Sequence, residues 1–586
     1  MQSNAGVLRI ALALLALAGW HTIGAAQRSN GPAAAPGSNG SSVSFNDVTS
    51  PANAAITTLN GASPDKHLPE TMGSGGAFVD LDSDGWVDIV IVDGGSVADA
   101  QVARRAQHRI LRNRRNGTFE DVTAASGIRQ GDYGMGVCAG DFDNDGHVDL
   151  YITGVGSNTL YKNRGNGTFT DVTTAAHVAG SGWSTSCAFA DLDLDGDLDL
   201  FVTRYVDISR PEPFCGDEKA GRRAYCHPLA LSPMSNLVFR NDGHGVFTDV
   251  SESTGIAKYR SNGLGVVVSD LDGNGFPDVF VANDSLPNFL FLNEGGWRFN
   301  EGGLPAGVAV ADDGKVRAGM GTDTGDYDGD GLLDLIVTNH ESETTSLFRN
   351  LGKGLFAYGT RESGIATPTR PYVGFGVALL DYDNDTRLDM AIANGHVMDN
   401  TMLFRQGSTH AQPNLLLHNE DGRHFRQAGT LPTRGDTPNK VSRGLAVADY
   451  DNDGDLDLLV TNNGDRIDLL RNEGGQARRA LLIQLVARTS APNGIGARVV
   501  ATLGSRKLVR EVKAGSSYLS QNDTRVHFGL DRAESVDVLE VRWPRGGTET
   551  FRNVASNQIL TIREGDGIVA RKPLNTPDPG PARSQP

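Results

Sequence analysis

The chain has 586 residues, a length at which more than one core is expected. Its formal net charge of −18 argues against nucleic acid as a partner, because a phosphate backbone wants a basic face. Its 73 glycines suggest many tight turns.

Residues 1–26 read as a signal peptide: Arg9, an apolar run from Ile10 to Trp20, then small residues from Gly24 to Ala26 where cleavage is expected. The run is short for a membrane span, and no later segment has the length or apolarity to cross a bilayer. The expectation is an exported chain that is secreted, periplasmic or held at the cell surface. Residues 27–42 read as a flexible linker.

Residues 43–477 repeat one acidic pattern seven times, and repeats of this kind are the first thing to seek. The copies are "DLDSDGWVD", "DFDNDGHVD", "DLDLDGDLD", "DLDGNGFPD", "DYDGDGLLD", "DYDNDTRLD" and "DYDNDGDLD". Each leads into a short β-rich run such as "LYITG" or "LLVTN", and follows a Gly-containing apolar stretch such as "GMGVCAG" or "GFGVALL". Downstream, Asn-Gly-type turns join two further strands, as in "LYKNRGNGTFTDVT". The unit is a four-stranded antiparallel sheet whose acidic loop joins its first two strands. Seven units predict an all-β, seven-bladed β-propeller. The last repeat lacks its "FTDVT" strand, and an orphan "FNDVT" stands at Phe45–Thr49, so the N-terminal strand is expected to complete the final blade and close the ring.

Four carboxylates within nine residues repel one another, and a hard divalent cation removes that penalty. Calcium takes six to eight oxygens, and loop positions 1, 3, 5, 7 (by its carbonyl) and 9 can supply them while Gly at position 6 permits the turn. The expected ligands are Asp80, Asp82, Asp84 and Asp88; Asp141, Asp143, Asp145 and Asp149; Asp191, Asp193, Asp195 and Asp199; Asp270, Asp272, Asn274 and Asp278; Asp326, Asp328, Asp330 and Asp334; Asp381, Asp383, Asp385 and Asp389; and Asp449, Asp451, Asp453 and Asp457. Up to seven Ca2+ are expected, with Asn274 and Thr386 weakening the fourth and sixth loops. Removing residues 1–26 takes away only Arg9 and leaves −19; seven divalent ions bring that to −5, an ordinary surface balance.

The acidic loops all fall on one face of the disc, so the second strands end on the other. There Arg204, Asn283, Asp284, Asn339, His340, Asn394, His396 and Asn462 recur around the channel as candidate ligand-binding residues for a polar partner. Asn also simply makes turns after strands, a reading that fits His340 and His396 least. In the insertion "FCGDEKAGRRAYCHP", expected on this same face, Cys215 and Cys226 are expected to pair, as an exported chain permits. Cys138 and Cys187 can pair or stay buried as small apolar residues.

From Arg478 the acidic loops stop. Segments such as "ALLIQLVA", "ARVVATL" and "VDVLEVRWP" predict a small β-sandwich-like domain over 478–565, and 566–586 reads as a disordered Pro-rich tail.

The seven acidic repeats resemble the FG-GAP/VCBS family. "NGIGARV", "HFGL" and "VRWPRGG" resemble the ASPIC/UnbV domain, so the chain looks like a member of the cartilage acidic protein-like, bacterial-type family. The resemblance implies an extracellular interaction protein and hands over no catalytic residue. No G-x-S-x-G, P-loop or H-E-x-x-H motif is present. The expected function is therefore a secreted calcium-binding module for adhesion to a protein or glycan. The alternative is a hydrolase or lyase acting on an extracellular polymer at the channel mouth, and a third reading is a purely structural envelope protein.

Overall fold

The apolar stretch before each acidic loop and the β-rich run after it form the first two strands of a blade, as in Ser442–Ala448 and Asp457–Asn462. The computed structural model describes residues 43–96, 106–129, 131, 133–243, 245–404, 407–432 and 439–575. The expected signal peptide and linker lie outside them, as does the tail beyond 575.

Seven four-stranded antiparallel blades span residues 76–121, 133–171, 182–249, 263–301, 322–358, 374–430 and 442–473, the last completed by Ser44–Asp47. That strand pairs Ser44 with Glu473 and Asp47 with Leu470, so the N-terminal segment closes the ring as the orphan motif requires. The innermost strand of each blade touches those of both neighbours, and the seventh touches the first. Blades 2 and 3 are further joined by pairing of Trp183 with Val155 and by a Cys138–Cys187 disulfide between their inner strands.

Two recurrent side chains knit the ring. At the loop end, the asparagine closing each third strand donates its side-chain amide to two carbonyls, one in its own blade's acidic loop and one in the preceding blade's. Asn350 reaches Leu333 and Leu271 (2.9 and 3.0 Å), and Asn113 reaches Val87 and, across the closure, Tyr450. Asn163, Asn241, Asn293, Asn419 and Asn472 do the same. Nearer the other end, Thr203, Thr338 and Thr461 donate to Leu264, Phe375 and Ser74 of the next blade. Most of these bonds are buried, so their acceptors have no water to turn to.

The C-terminal domain has two four-stranded sheets. One runs in the order Val526–Asp531, Arg479–Val486, Gln558–Arg563 and Gly567–Pro573; the other runs Arg506–Glu511, Arg498–Leu503, Ser535–Arg542 and Thr548–Ala555. Leu481, Val499, Phe528, Leu539, Val541 and Leu560 fill the space between them. The expected boundary at 565 is corrected. Residues 567–573 form an edge strand on 558–563 through a tight turn at Gly565 (φ 80°), and Leu574 is buried. Proline content misled there, because the prolines begin only at Pro573.

The segment between Glu511 and Val526 enters the propeller channel. Ser517 exchanges backbone hydrogen bonds with Thr322, Leu519 accepts from Val137, and Gln521 exchanges bonds with Gly76 and Phe78. Tyr518 and Leu519 are fully buried, with the Tyr518 ring edge-on to Phe375 and its hydroxyl donating to Met72. Inner strands of a propeller present unpaired backbone groups to the axis, and this segment takes them up. The inner-strand glycines make room. A Cβ on Gly75 would lie 1.6 Å from the Leu519 carbonyl, and one on Gly444 2.4 Å from Ser520 Oγ. The channel, expected to be ringed by ligand-binding side chains, is filled by the chain itself.

Because one segment of the C-terminal domain lies in the channel, differential scanning calorimetry of residues 43–575 is expected to give a single cooperative transition; two transitions would show independent units. Asn350→Ala strands two buried carbonyls and is expected to cost about 3 kcal/mol, read from denaturant midpoints.

Candidate metal loops and a cavity on the opposite face

Each acidic hairpin is wound on its first and ninth carboxylates. The first accepts the N–H of position 6 in all seven loops, at 2.8 to 3.1 Å. Position 6 has φ between +84° and +101°, which glycine adopts freely and Thr386 adopts under strain. The ninth carboxylate takes the backbone N–H of the clasp asparagine with one oxygen in every loop, at 2.7 or 2.8 Å. Its other oxygen accepts the N–H of position 2 in six loops; in the sixth, Asp389 Oδ2 has no such bond.

The expected ligands therefore converge. Carboxylate oxygens of Asp80, Asp82 and Asp84, of Asp141, Asp143 and Asp149, of Asp191, Asp193 and Asp199, and of Asp270, Asp272 and Asp278 lie within 4.8 Å of one another in each group. At position 3, one oxygen of Asp82, Asp143, Asp383 and Asp451 is buried without a hydrogen-bond partner. Such clustering raises affinity for protons. Burial first, then neighbouring carboxylates, push Asp88, Asp149 and Asp278 up to about 8 against the opposing pull of the asparagine N–H. Asp80, Asp141 and Asp326 rise to about 6, burial again leading.

The loops are not equivalent. In the sixth, Arg478 sits 2.9 Å from Asp383, Arg387 pairs with Asp385, and His418 Nδ1 lies 3.1 Å from Asp389. Asn274 of the fourth loop donates to Asp272 and to the Asn293 carbonyl. The C-terminal domain adds cations from above: Arg525 donates to the Asp449 carbonyl, and the half-buried Arg510 lies near Asp381 and Asp326.

On the opposite face the eight candidate residues divide. Asp284, His340 and His396 line a cavity of about 380 Å³. The other five close loops. Arg204 clamps Ser181 and Ser235; Asn283 and Asn394 donate to Pro287 and Pro413; Asn339 and Asn462 donate to Thr344 and Arg466. Their amides serve the turns after the second strands, the plainer of the two roles open to them.

The cavity has acidic depths and apolar walls. Tyr205 donates to Asp284 Oδ2 at 2.5 Å, and Ser285 donates to its other oxygen at 2.8 Å. The His340 and His396 rings meet edge to face at 5.3 Å, and His396 Nε2 lies 3.7 Å from Glu341 Oε1. Burial and the neighbouring His340 hold His396 down to about 4. Met72, Leu264, Met320, Phe375 and Phe404 form much of the wall. The insertion closed by the Cys215–Cys226 disulfide supplies Tyr225, Cys226, His227 and Pro228, and Asn400 ties the 397–404 segment to it through the Arg223 carbonyl.

Sequence reading missed the clasp asparagines, although "RN", "KN", "LN" and "HN" recur before a turn in every repeat. It also missed Tyr205, Met320 and Phe375, which carry no signal because they come from different blades and meet only in the closed ring.

Among the described residues, no helix is long and apolar enough to cross a membrane. The FG-GAP-like repeat model matches residues 80–152, 141–202 and 326–392, and the ASPIC and UnbV model matches 487–569. Mouse (Mus musculus) cartilage acidic protein 1 is 29% identical over 322 residues, covering 54% of this chain and 47% of that protein; the Homo sapiens protein is 28% identical over 54% and 46%. The chain thus spans about half the length of these curated relatives. Among solved structures, a lectin from Agrocybe aegerita aligns with a TM-score of 0.39 and 16% identity, covering 69% of this chain and 96% of that one. The chain carries FG-GAP-like repeats and an ASPIC/UnbV domain, and it is homologous to cartilage acidic protein 1 over about half its length.

Proposed function

We propose that the chain is an exported, calcium-loaded propeller that meets an extracellular partner through its cavity face. The observation that carries the metal is the buried, partnerless position-3 oxygen of Asp82, Asp143, Asp383 and Asp451, the first two of which lie in groups of three converging carboxylates. Loops of oxygen donors with a left-handed turn at position 6 suit calcium, which tolerates irregular geometry. Asp80, Asp82, Asp84 and Asp88, with their counterparts, would hold it, and the ion would supply charge compensation. The sixth loop, already served by Arg478, Arg387 and His418, is the one least in need of it.

The binding face follows from what is covered. The C-terminal domain stands over the acidic loops and fills the channel, while among the described residues it leaves the face with the cavity uncovered. Exposed apolar side chains border the cavity there, Met402 at 74% and Leu403 at 58%, beside Leu229 at 56%. Apolar surface of this kind on a stable exported domain marks an interaction site.

Two experiments test this reading. A carboxyl that keeps its proton up to about pH 8 when folded, but releases it near 3.8 when unfolded, binds more protons in the folded state between those values. The chelator-treated chain is therefore expected to melt at lower temperature as pH rises from 5 to 8, and saturating calcium to abolish that fall. Asp141→Ala is expected to lose about 2 to 3 kcal/mol of stability in calcium at a hundredfold excess over Kd, and far less in chelator. Equal loss in both removes the metal from that loop. For the face, binding of the purified chain to intact cells of its source, read by flow cytometry, is expected to drop at least tenfold when Met320→Trp fills the cavity. Unchanged retention would move the partner elsewhere.

A further inference from the structure

The sixth acidic loop differs from the other six in what its oxygens face. At position 9, Asp389 is fully buried, and its Oδ2 lacks the position-2 N–H that the other ninth carboxylates accept. At position 3, Asp383 gives one oxygen to Arg478 at 2.9 Å and leaves Oδ1 buried without a partner. Asp385 is already engaged: one oxygen accepts the Arg387 backbone N–H at 2.9 Å, and the other accepts its guanidinium.

The residue before a clasp asparagine leans over the acidic loop. In blades 1, 2 and 5 it is a permanent cation, Arg112, Lys162 or Arg349, close to Asp82, Asp143 or Asp328. In blade 6 it is His418, whose ring can offer a lone pair instead. His418 sits on the strand Leu415–Asn419, and its ring meets Tyr382 edge to face at 6.1 Å. A ring nitrogen of His418 and one oxygen each of Asp383 and Asp385 lie within 4.8 Å of one another. Nδ1 is buried, 3.1 Å from Asp389 Oδ1 and 4.0 Å from Asp383 Oδ2. Its in-plane direction misses both oxygens, so neither contact is a hydrogen bond. The competing reading is an imidazolium paired with Asp389, since that carboxylate raises the affinity of His418 for a proton. Such a pair needs an N–H aimed at the oxygen, and Nδ1 is not aimed so. Two donors bonded to one ion at about 2.1 Å, at a right angle, sit about 3.0 Å apart, which is the spacing of Nδ1 and the Asp389 oxygen.

Calcium is the poorer occupant of this loop. It takes oxygen ligands, and its affinity follows their charge. Here Arg478 and Arg387 already offset two carboxylates. Imidazole combined with carboxylate suits zinc and its neighbours in the first transition row. We infer that the sixth loop is a separate metal site, which binds a divalent transition ion of zinc's class through His418 Nδ1, Asp389 and Asp383. The site goes beyond the calcium assigned to the other loops and does not depend on it.

The test is isothermal titration calorimetry of the untagged full chain with zinc chloride in excess calcium, which keeps zinc from loops that prefer calcium. One zinc per chain is expected. His418→Ala and Asp383→Asn are each expected to weaken it at least tenfold. X-ray absorption at the zinc edge of the loaded wild-type chain is expected to show the outer-shell scattering of an imidazole, and this reading stands even if a variant fails to fold. Absence of saturable zinc binding, displacement of zinc by calcium, unchanged affinity in His418→Ala, or a shell of oxygen alone would overturn the assignment. Displacement by calcium would make the sixth loop one more calcium loop. Loss of zinc in His418→Ala with no calcium bound anywhere would leave this site standing while the calcium reading fell.

Discussion

The ring depends on one buried contact made seven times: the ninth carboxylate of an acidic loop accepting the backbone N–H of the asparagine that ends the third strand. Because that asparagine also donates its amide to the preceding blade, each carboxylate fixes its own hairpin and, through one residue, the seam to the preceding blade. These bonds lie out of water, where a missing partner costs more than a present one returns. The loop charges and the ring closure are therefore one problem. Under the calcium reading the ion would sit on the same carboxylates that anchor the seams, so filling a loop would tighten the contact between blades.

The C-terminal domain answers the two remaining weaknesses of such a ring. Its 512–525 segment pairs with backbone groups that inner strands leave facing the axis, and the inner-strand glycines exist to admit it. Its arginines stand over three of the loops, Arg510 near Asp381 and Asp326, Arg525 on Asp449. A domain that reads as an appendage is a structural part of the propeller. The floor of the opposite cavity is built on the same segment, since Tyr518 meets Phe375 and Met72.

The two faces thus have different tasks set by their electrostatics. On the loop face, carboxylates crowd together with backbone N–H donors and are capped by a basic domain. On the cavity face, a few carboxylates are set among methionines and aromatic rings, and the open rim is apolar. The first arrangement suits a stabilising ion and the second suits recognition, which is why the proposed roles are divided between them.

Sequence alone determined the repeat, the blade count, the closure by Phe45–Thr49 and the convergence of the acidic side chains, because these follow from local patterns at fixed spacing. It located the Cys215–Cys226 insertion beside the open face for the same reason. It could not place residues that meet only when the ring closes. Tyr205, Met320 and Phe375 are separated by up to 170 positions and share no pattern, yet they line one cavity. Nor could it tell Asp284, His340 and His396, which face that cavity, from Asn283, Asn339 and Asn394, which tie down turns: both sets end second strands, and which way a side chain faces is set by packing between blades. The filling of the channel by residues 512–525 was likewise decided by tertiary structure, since backbone groups of five separate inner strands become a single binding surface only around a common axis.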